Sequence, residues 1–465
     1  ADSIGCASHS GGPEKAIRMN VSARQAWLLK QIERFGPDDL RLARYHVAQA
    51  VEIAPTPDIA KIEMEVARLY ASHEALRWTF HRESGGAHVA KLRTAPPGLT
   101  CRAAPDDDAA FQAAVLADAR ARFDLAKGPL FEIIAYPRPG DRIVLLLRAH
   151  HLIVDGASLI ILMRALLAGV FGLEIGYKVG RPYADFVAWQ RAFLRCDDGA
   201  RLLDRWLAEL SDLPPPLALP YDTAARGAQP APALKIQRTL DSRIVDTVRR
   251  AATSLGVGSF RIYLAAYVAM MFKLTGARDI PVSLASAARS RVEFLETVGW
   301  FNDTIVVREP IEPGDTFATY AARLSARLDS ALENDGLPLH LIVEQLEALA
   351  PNQATCLDEV AFSMIAPNPR TDHDIGRLAS TLAGTKAQVG AYTVQTWPVP
   401  IPYASPHQVS FRILERPDTT YVSASFNATR FVAATAERLT AAYEGVLAAL
   451  AANPHALLDG ILAHD

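Results

Sequence analysis

Two adjacent histidines followed by an aspartate and a glycine, His150, His151, Asp155 and Gly156, are the residues of this chain best suited to chemistry. We expect His151 on a sharp turn after a buried strand, where an imidazole with an ordinary pKa of about 6.5 suits proton transfer near neutrality. Gly156 permits close backbone approach, and free N–H groups at a helix start favour a developing negative charge. A general base beside backbone donors is what addition to a thioester or ester carbonyl requires.

Each part of this pattern also has a purely structural explanation. Adjacent histidines at a strand end are commonly satisfied within a core, and Asp-Gly is the commonest turn dipeptide, so either feature alone favours a structural role about four times in five. The joint spacing arises by chance on the order of once in a thousand chains. Ser158 lies in the first turn of the expected helix, which favours local structure over a nucleophile, so we expect no covalent acyl-enzyme.

The elements that must position these residues are a hairpin and a helix. Two strand-like runs, Leu130–Tyr136 and Ile143–Arg148, flank the turn residues Pro137–Asp141 and predict a hairpin that leads into the histidines. The apolar run Ala157–Phe171 predicts the helix that follows them.

Helical and strand patterns alternate in the rest of the chain as well. Thr56 is the expected cap of a helix, because threonine caps well and Pro57 and Asp58 suit a first turn. We expect further helices at about 107–122, 242–255, 259–274 and 315–333, and strands at about 280–284, 304–308, 408–414 and 421–426. The pattern over 421–451 repeats that of 143–171 without its histidines, as a duplicated lobe would. The fold class predicted is α/β (α+β).

The length of the chain predicts two lobes. Its 465 residues exceed the size at which a single hydrophobic core usually stops growing. Prolines at 214–216 and 220 interrupt regular structure near the middle of the chain. We predict a flexible leader at 1–19, an N-terminal lobe with the histidines at 20–180, a linker region at 181–229 and a C-terminal lobe at 230–465.

Composition excludes several classes of function. A formal net charge of -3 gives no reason to expect nucleic acid or an anionic membrane as partner. The apolar stretches are too short or interrupted to span a bilayer, and residues 1–18 lack the apolar block of a secretory signal. The cysteines, Cys6, Cys101, Cys196 and Cys356, form no CxxC pair, so we expect no metal site, no disulfide framework and a reducing cytoplasm.

Residues 149–158 resemble the HHxxxDG signature of the condensation domains of nonribosomal peptide synthetases, and further blocks of that family follow in order. These blocks are Ser22–Trp27 (SARQAW), Ser72–Phe80 (SHEALRWTF), Phe123–Leu130, Tyr183–Gln190 (YADFVAWQ), Val298–Phe301 (VGWF) before Arg308, and Pro338–Glu344. The resemblance covers residues 20–455. It implies two lobes of the chloramphenicol acetyltransferase type, arranged as a V-shaped pseudo-dimer with a tunnel between them.

The resemblance also implies a role for each residue of the motif. His151 falls on the catalytic position, and the backbone amide of Gly156 would stabilise the oxyanion. His150 and Asp155 fall on positions that are mainly structural. The aspartate of the motif pairs with an arginine of the second lobe, which here is Arg289. Such a buried pair would be costly to break because its survivor is left as an unpaired charge.

Some residues depart from the family pattern. Where the family has asparagine in its VGxFxNT block, this chain has Asp303, and we expect Asp303, Trp300 and Ser158 in the lining of the tunnel. The EGHGRE block of epimerisation domains is absent from residues 285–291, and the DxxxxD of heterocyclising domains is absent from the motif. Condensation is therefore favoured over these two sister activities.

The resemblance implies an acyltransferase that joins a carrier-protein-bound polyketide or peptidyl thioester to an amine or hydroxyl acceptor, forming an amide or ester. The chain would bind no cofactor of its own, because the acyl donor is attached to the phosphopantetheine of a partner carrier protein. The sequence contains no carrier attachment block of the Gly-Gly-x-Ser type. We therefore expect a lone condensation unit, either free-standing or excised from a larger synthetase. We favour a free-standing, monomeric enzyme that releases chains in antibiotic or other natural-product biosynthesis.

Two alternatives stay open. The first is an alcohol acyltransferase of the same superfamily that uses acyl-CoA, which differs in needing no carrier protein. The second is a non-catalytic module that recruits carrier proteins. Loss of the second histidine or of Asp-Gly would be its sign, and His151, Asp155 and Gly156 are all present.

Overall fold

The computed structural model describes residues 18–36, 39–94, 97–174, 178–223, 230–349, 351, 353–366, 384–416 and 419–463. The leader predicted at 1–19 lies outside the described residues except for Arg18 and Met19, which form a short strand. The four predicted domain ranges stay a prediction.

Helices and strands alternate along the described chain. The helices are α1 (Ala23–Phe35), α2 (Ile59–Ser72), α3 (Asp108–Arg120), α4 (Gly156–Phe171), α5 (Tyr183–Phe193), α6 (Asp197–Glu209), α7 (Ser242–Leu255), α8 (Ser259–Thr275), α9 (Phe317–Glu333), α10 (Leu339–Leu349) and α11 (Ala433–Ala452). The strands are β1 (Arg18–Met19), β2 (His46–Ala54), β3 (Trp78–Arg82), β4 (His88–Leu92), β5 (Thr100–Cys101), β6 (Phe131–Arg138), β7 (Arg142–His150), β8 (Leu234–Thr239), β9 (Val282–Ser286), β10 (Asp303–Val307), β11 (Val360–Ile365), β12 (Lys386–Val389), β13 (Tyr392–Trp397), β14 (Val409–Glu415) and β15 (Thr420–Phe426). This mixture confirms the predicted α/β (α+β) class.

The first half of the chain is built on a six-stranded sheet with the order β12-β13-β2-β7-β6-β5. Its centre is antiparallel: His46 of β2 lies opposite His150 of β7, and Phe131 of β6 lies opposite Ala149. β6 and β7 confirm the hairpin predicted before the histidines, and both strands run slightly further than the predicted segments. A three-stranded sheet, β1-β4-β3, belongs to the same half.

The second half is built on its own six-stranded sheet, with the order β10-β9-β11-β14-β15-β8. β11 runs parallel to β9 and β14, and the remaining neighbours are antiparallel. α8 is buried over Ile262–Phe272, which is typical of a helix covered on all sides. In the described chain no single helix is long and apolar enough to cross a membrane. α7 and α8 taken together have the required length and apolarity, but their axes are bent by 105° relative to each other.

One hairpin from the second half extends the sheet of the first half. β13 pairs antiparallel with β2, which places Val394 opposite Ile53, and β12 pairs with β13. Residues 386–397, within the range predicted for the C-terminal lobe, are therefore part of the first sheet. The range predicted as linker contains α5 and α6, and Tyr183 and Phe186 of α5 are buried in the core of the first half.

The helix predicted after Thr56 has a different cap. α2 begins at Ile59, and the carboxylate of Asp58 accepts the N–H of Ala60 at 2.9 Å. The predicted capping by Thr56 is wrong, because Asp58 caps as well as threonine does and stands directly before the apolar face. The N–H of Thr56 instead donates to the carboxylate of Asp141 at 3.2 Å, which ties this segment to the β6–β7 turn.

α4 is the helix that carries the end of the motif. Asp155 is its N-cap, and Gly172 ends it in the left-handed conformation with φ of 68°, where glycine has no steric penalty. Most of its residues are buried, so its axis and its first turn are fixed by packing on both sides.

Candidate active site

The turn between β7 and α4 carries both histidines and is held from three directions. The N–H of His150 donates to the carbonyl of Leu130 (2.8 Å), and the N–H of His151 donates to the carbonyl of Tyr45 (2.7 Å). The side-chain amide of Gln25, on α1, donates to the carbonyl of Leu152 (2.6 Å). These bonds fix the backbone that carries the His151 ring.

The imidazole of His151 lies against two aromatic rings. Its centroid is 6.1 Å from that of Tyr45, at an interplanar angle of 78°, and 5.4 Å from that of Trp300, at 49°. His151 as a residue keeps part of its surface exposed, whereas the Nδ1 atom of its ring is buried. Among the described residues no hydrogen bond of normal geometry reaches its Nδ1 atom.

Burial lowers the pKa of His151 to about 4. The carboxylate of Asp155 raises this pKa and the guanidinium of Arg24 lowers it, and burial outweighs both. The imidazole is therefore neutral at pH 7 and holds the free lone pair that a general base requires. Sequence analysis expected an ordinary pKa; the lower value follows from burial among aromatic rings, which a sequence pattern does not show.

His150 is buried in the first half of the chain, at 4% exposure. Its Nδ1 atom accepts the N–H of Leu152 (3.1 Å), and its ring packs against His46 and Phe123 at centroid distances of 5.5 and 6.1 Å. Burial, with smaller contributions from neighbouring histidines, lowers the pKa of His150 well below its usual value. A neutral ring with these contacts fits a structural role.

Asp155 is the centre of a buried hydrogen-bond network. Its carboxylate accepts the N–H groups of Ser158 (2.7 Å), Phe301 (3.1 Å) and Asn302 (3.2 Å). Arg289 donates to both carboxylate oxygens, at 3.1 and 3.3 Å. Burial alone would raise the pKa of Asp155, but Arg289 and the N–H donors together lower it. Asp155 is therefore an ionised acceptor that takes up no proton near neutrality.

Arg289 connects the second half of the chain to this network. Its side chain is 6% exposed and that of Asp155 is 1% exposed. The guanidinium also donates to the carbonyls of Phe294 (2.9 Å) and Thr297 (2.7 Å) and lies 4.1 Å from the ring centroid of Phe301. The structure thus brings together the aspartate and the arginine that sequence analysis paired.

Ser158 is fully buried, and its hydroxyl is used within the fold. The hydroxyl donates to the carbonyl of Gly299 (2.8 Å) and accepts the N–H of Gly299 (3.0 Å) and a guanidinium N–H of Arg289 (3.0 Å). With no exposed surface, this side chain joins the two halves of the chain, and its expected place in a tunnel lining stays a prediction.

Gly156 is the exposed residue of the motif. Its N–H group and that of Ala157 belong to the first turn of α4, where no intrahelical acceptor exists. No atom lies within 4 Å of the position that a Cβ on Gly156 would occupy. The first residue of α4 is therefore exposed with open space beside it, and an accessible helix start favours a developing negative charge.

Trp300 and Asp303 are almost wholly buried, at 1% and 6% exposure. Asp303 forms an ion pair with Arg24 of α1, and the Arg24 guanidinium lies 5.0 Å from the ring centroid of Trp300. Their place in a tunnel lining stays a prediction. Sequence analysis missed Arg24 and Tyr45 as neighbours of the His151 site: Arg24 stands in the SARQAW block, whereas no pattern marks Tyr45.

A cavity lies beside this network. Arg289, Asp303 and Asp335 are among the residues that line it, and His151 is not. Across the described ranges, no three His, Cys, Asp or Glu side chains are grouped so as to hold a metal ion.

Comparison with known proteins places this site in a family. The sequence profile described as "Condensation domain" matches residues 20–463. The chain is 28% identical over 358 residues to phosphinothricin tripeptide synthetase PhsC of Streptomyces viridochromogenes, covering 75% of this chain and 32% of that protein. It is 26% identical over 353 residues to tyrocidine synthase 3 of Brevibacillus parabrevis, covering 76% of this chain and 5% of that protein. The chain thus spans a third or less of these relatives.

Solved structures share the fold. The first condensation domain of the calcium-dependent antibiotic synthetase, in complex with a substrate analogue, superposes with a TM-score of 0.74 at 18% identity, covering 96% of this chain and 99% of that one. The four-domain nonribosomal peptide synthetase AB3403 gives 0.80 at 17% identity, covering 98% of this chain and 34% of that one. SgcC5 of Streptomyces globisporus, in complex with a naphthyl ethanediol and sucrose, gives 0.72 at 21%, covering 94% and 100%.

These similarities confirm the resemblance stated from the sequence and the predicted fold of the chloramphenicol acetyltransferase type. The profile match extends over both sheets and includes the His151 turn, α4 and Arg289. The chain therefore belongs to the condensation domain family of nonribosomal peptide synthetases, a family that forms amide bonds by acyl transfer.

Proposed function

We propose that this chain transfers an acyl group from a carrier-protein thioester to an amine or hydroxyl acceptor, with His151 accepting the proton of the acceptor. The observation that carries the proposal is a neutral imidazole, on a partly exposed residue, in the turn that leads into the start of α4. A general base and two backbone N–H groups within one turn are the parts that attack on a thioester carbonyl needs.

In the proposed reaction the acyl group passes directly from thioester to acceptor and forms no covalent bond with the protein. The acceptor donates a hydrogen bond to His151, its lone pair attacks the thioester carbon, and its proton passes to the imidazole. The C–S bond then breaks, and the leaving thiolate takes the proton from His151. The Ser158 hydroxyl is committed to Gly299 and Arg289, which supports direct transfer without an acyl-serine.

The N–H groups of Gly156 and Ala157 supply the oxyanion site in this proposal. The carbonyl oxygen of the thioester becomes negatively charged as the tetrahedral intermediate forms, and the open space beside Gly156 leaves room for it at the start of α4. Asp155 assists through structure: by capping α4 and accepting the N–H of Ser158, it leaves the first two N–H groups of the helix unused.

The finer proposal concerns the substrates. We propose a carrier protein supplied in trans, whose phosphopantetheine brings a polyketide or peptidyl chain, and release of that chain onto a small molecule. SgcC5, whose full length this chain covers, was solved with a vicinal diol, which supports a hydroxyl acceptor. The substrate-analogue complex of the calcium-dependent antibiotic synthetase domain supports a substrate site within this fold.

Intact-protein mass spectrometry of an acyl-loaded carrier protein tests this function. The loaded carrier is mixed with the enzyme and a panel of matched amines and alcohols, and acyl loss from the carrier and product mass are followed together. We expect His151→Ala to reduce turnover about 10²–10⁴-fold. His455→Ala, which removes an exposed histidine, serves as the matched control and should turn over at the wild-type rate.

Each outcome has a clear meaning. Equal turnover by wild type and His151→Ala would refute the proposed role of the imidazole. Turnover of acyl-CoA without any carrier protein would identify the alcohol acyltransferase alternative. Binding of the loaded carrier with no turnover on any acceptor would identify a recruitment module. Products formed only with alcohols would establish ester formation.

A further inference from the structure

No carboxylate orients the imidazole of His151, whose polar neighbours are the backbone groups of His151 and Val154. In many general bases a carboxylate bonded to the second ring nitrogen fixes the rotation of the ring. Here no hydrogen bond of normal geometry reaches Nδ1 within the described residues, and the oxygens of Asp155 are occupied by Arg289 and backbone N–H groups. Backbone contacts outside normal hydrogen-bond geometry hold the ring only in part, so the groups that pack against its faces and edges also set its orientation.

Two rings perform this packing, and each is held by its own arginine. Tyr45 is fixed by Arg44, which donates to its hydroxyl at 2.8 Å and lies 4.9 Å from its ring centroid. Trp300 donates from Nε1 to the side chain of Asn302 at 2.8 Å, and the guanidinium of Arg24 lies 5.0 Å from its ring centroid.

Arg24 is itself held by Asp303. The two form an ion pair in which the side chains are 19% and 7% exposed. Asp303 begins β10 in the second half of the chain, whereas Arg24 is on α1 in the first half. Asp303 is also the residue at which this chain departs from the asparagine of the family. An aspartate suits this position because only a carboxylate supplies the counter-charge for a buried guanidinium.

We infer that Arg24 is a positioning residue for acyl transfer: anchored by Asp303, it holds the Trp300 ring against the His151 imidazole and so sets the angle at which the imidazole meets the acceptor. This inference rests on the proposed function of His151 as base. A cation on the face of tryptophan is attracted to the ring, which limits the rotation of the ring. Small displacements of a general base reduce the rate of the chemical step more than they reduce binding.

The charge of Arg24 has a second, measurable consequence. The groups that face His151 are Asp155 of its own turn, Arg24 of α1, Tyr45 before β2, and His150 next to it, while Arg289 neutralises Asp155. Among these, Arg24 opposes protonation of His151 and Asp155 favours it. Removing the cation moves the acid limb of the pH–rate profile to higher pH. Removing its counter-charge on Asp303 moves that limb to lower pH.

The test compares Arg24→Gln, Asp303→Asn and the double variant with wild type. We expect Arg24→Gln to lower kcat about tenfold with KM within about twofold, and Asp303→Asn to lower kcat by less. The double variant should fall no lower than Arg24→Gln, because both changes release the same ring. Arg24→Lys, which keeps a cation over Trp300, should recover part of kcat. Arg261→Gln, which breaks an ion pair with Asp329 on α8 and α9, is the matched control and should keep the wild-type profile.

The outcomes separate this inference from the proposed function. Circular dichroism at each pH verifies that the variants are folded; Asp303→Asn is nearly isosteric, so it decides the question if Arg24→Gln does not fold. A wild-type kcat in a folded Arg24 variant would overturn this inference. So would pH–rate profiles whose acid limbs move in the same direction for both single variants. Either result would leave the proposed function of His151 standing. Full turnover by His151→Ala would instead remove the proposed function on which it rests.

Discussion

Removal of the Arg289 charge is the perturbation whose size the structure determines best. Arg289→Met keeps an apolar stem over the ring of Phe301 and deletes the guanidinium. Asp155 would then be a carboxylate with 1% side-chain exposure that keeps only three backbone N–H donors. The carbonyls of Phe294 and Thr297 would lose their donor at the same time.

The expected cost is large. Breaking a buried ion pair from one side costs about 3–5 kcal/mol, because the remaining charge stays desolvated without its partner. Such a loss is a substantial fraction of the roughly 5–15 kcal/mol by which folded proteins are stable. Arg201→Ala, which breaks an exposed ion pair with Asp198, should cost at most about 1 kcal/mol.

Urea unfolding followed by tryptophan fluorescence and circular dichroism measures both variants. A double variant, Asp155→Asn with Arg289→Met, should be less destabilised than the sum of its single changes, by about 0.5–3 kcal/mol, since no buried charge remains. The deficit of Arg289→Met relative to wild type should shrink as the pH falls, because protonated Asp155 needs no counter-charge. If Arg289→Met unfolds within about 1 kcal/mol of wild type, as the exposed control does, the argument from the buried pair is refuted.

Three further predictions concern the helix start, the histidine His46 and two glycines. At Gly156 a Cβ meets no atom within 4 Å and proline is tolerated at the first helical position, so Gly156→Ala should stay active. Gly156→Pro should fold but lose about 10²–10³-fold in kcat through loss of the N–H, and equal kcat for the two variants would exclude an oxyanion role. Burial lowers the pKa of His46 to about 4, so its stabilising effect is complete above pH 6.5 and is lost as the pH falls towards 4. At pH 5 the protein should have lost about 2 kcal/mol of this contribution to its free energy of unfolding. In urea unfolding, the free energy of unfolding of His46→Phe should therefore change less with pH than that of wild type, and parallel pH curves would contradict this. Gly299→Ala places a Cβ 2.0 Å from the ring of Tyr183 and should lower the melting temperature strongly. Gly445→Ala, in an exposed helical turn with open space around it, should raise the melting temperature slightly. Melting temperatures in the reverse order would refute the packing argument.

Local patterns carried much of the prediction. The β6–β7 hairpin and α4 were found because turn residues and apolar runs report directly on local backbone geometry. Where two local signals competed, the prediction failed: Thr56 and Asp58 are both good caps, and only the position of the apolar face against the core selects one. The helices α5 and α6 were hidden by the prolines that follow them.

Pairing between distant segments was not predictable in the same way. The β12–β13 hairpin joins β2 of the first half, although hundreds of residues lie between them in the chain. Strand patterns show that a segment has one buried face, but they do not show which edge it covers. The positions of Tyr45 and Arg24 around His151 were missed for the same reason, because each comes from a different element.

The sequence by itself determined the type of fold, the family and the motif, since residue types at fixed spacing specify turns, caps and the chemistry of a base. Only the tertiary structure decided the state of that base. Three properties arise where both halves of the chain meet: the pKa of about 4 of His151, the ionised state of Asp155 and the hydrogen-bonded state of the Ser158 hydroxyl. Desolvation and ion pairing act between atoms that are close in space, and this closeness is created by folding rather than by position along the chain.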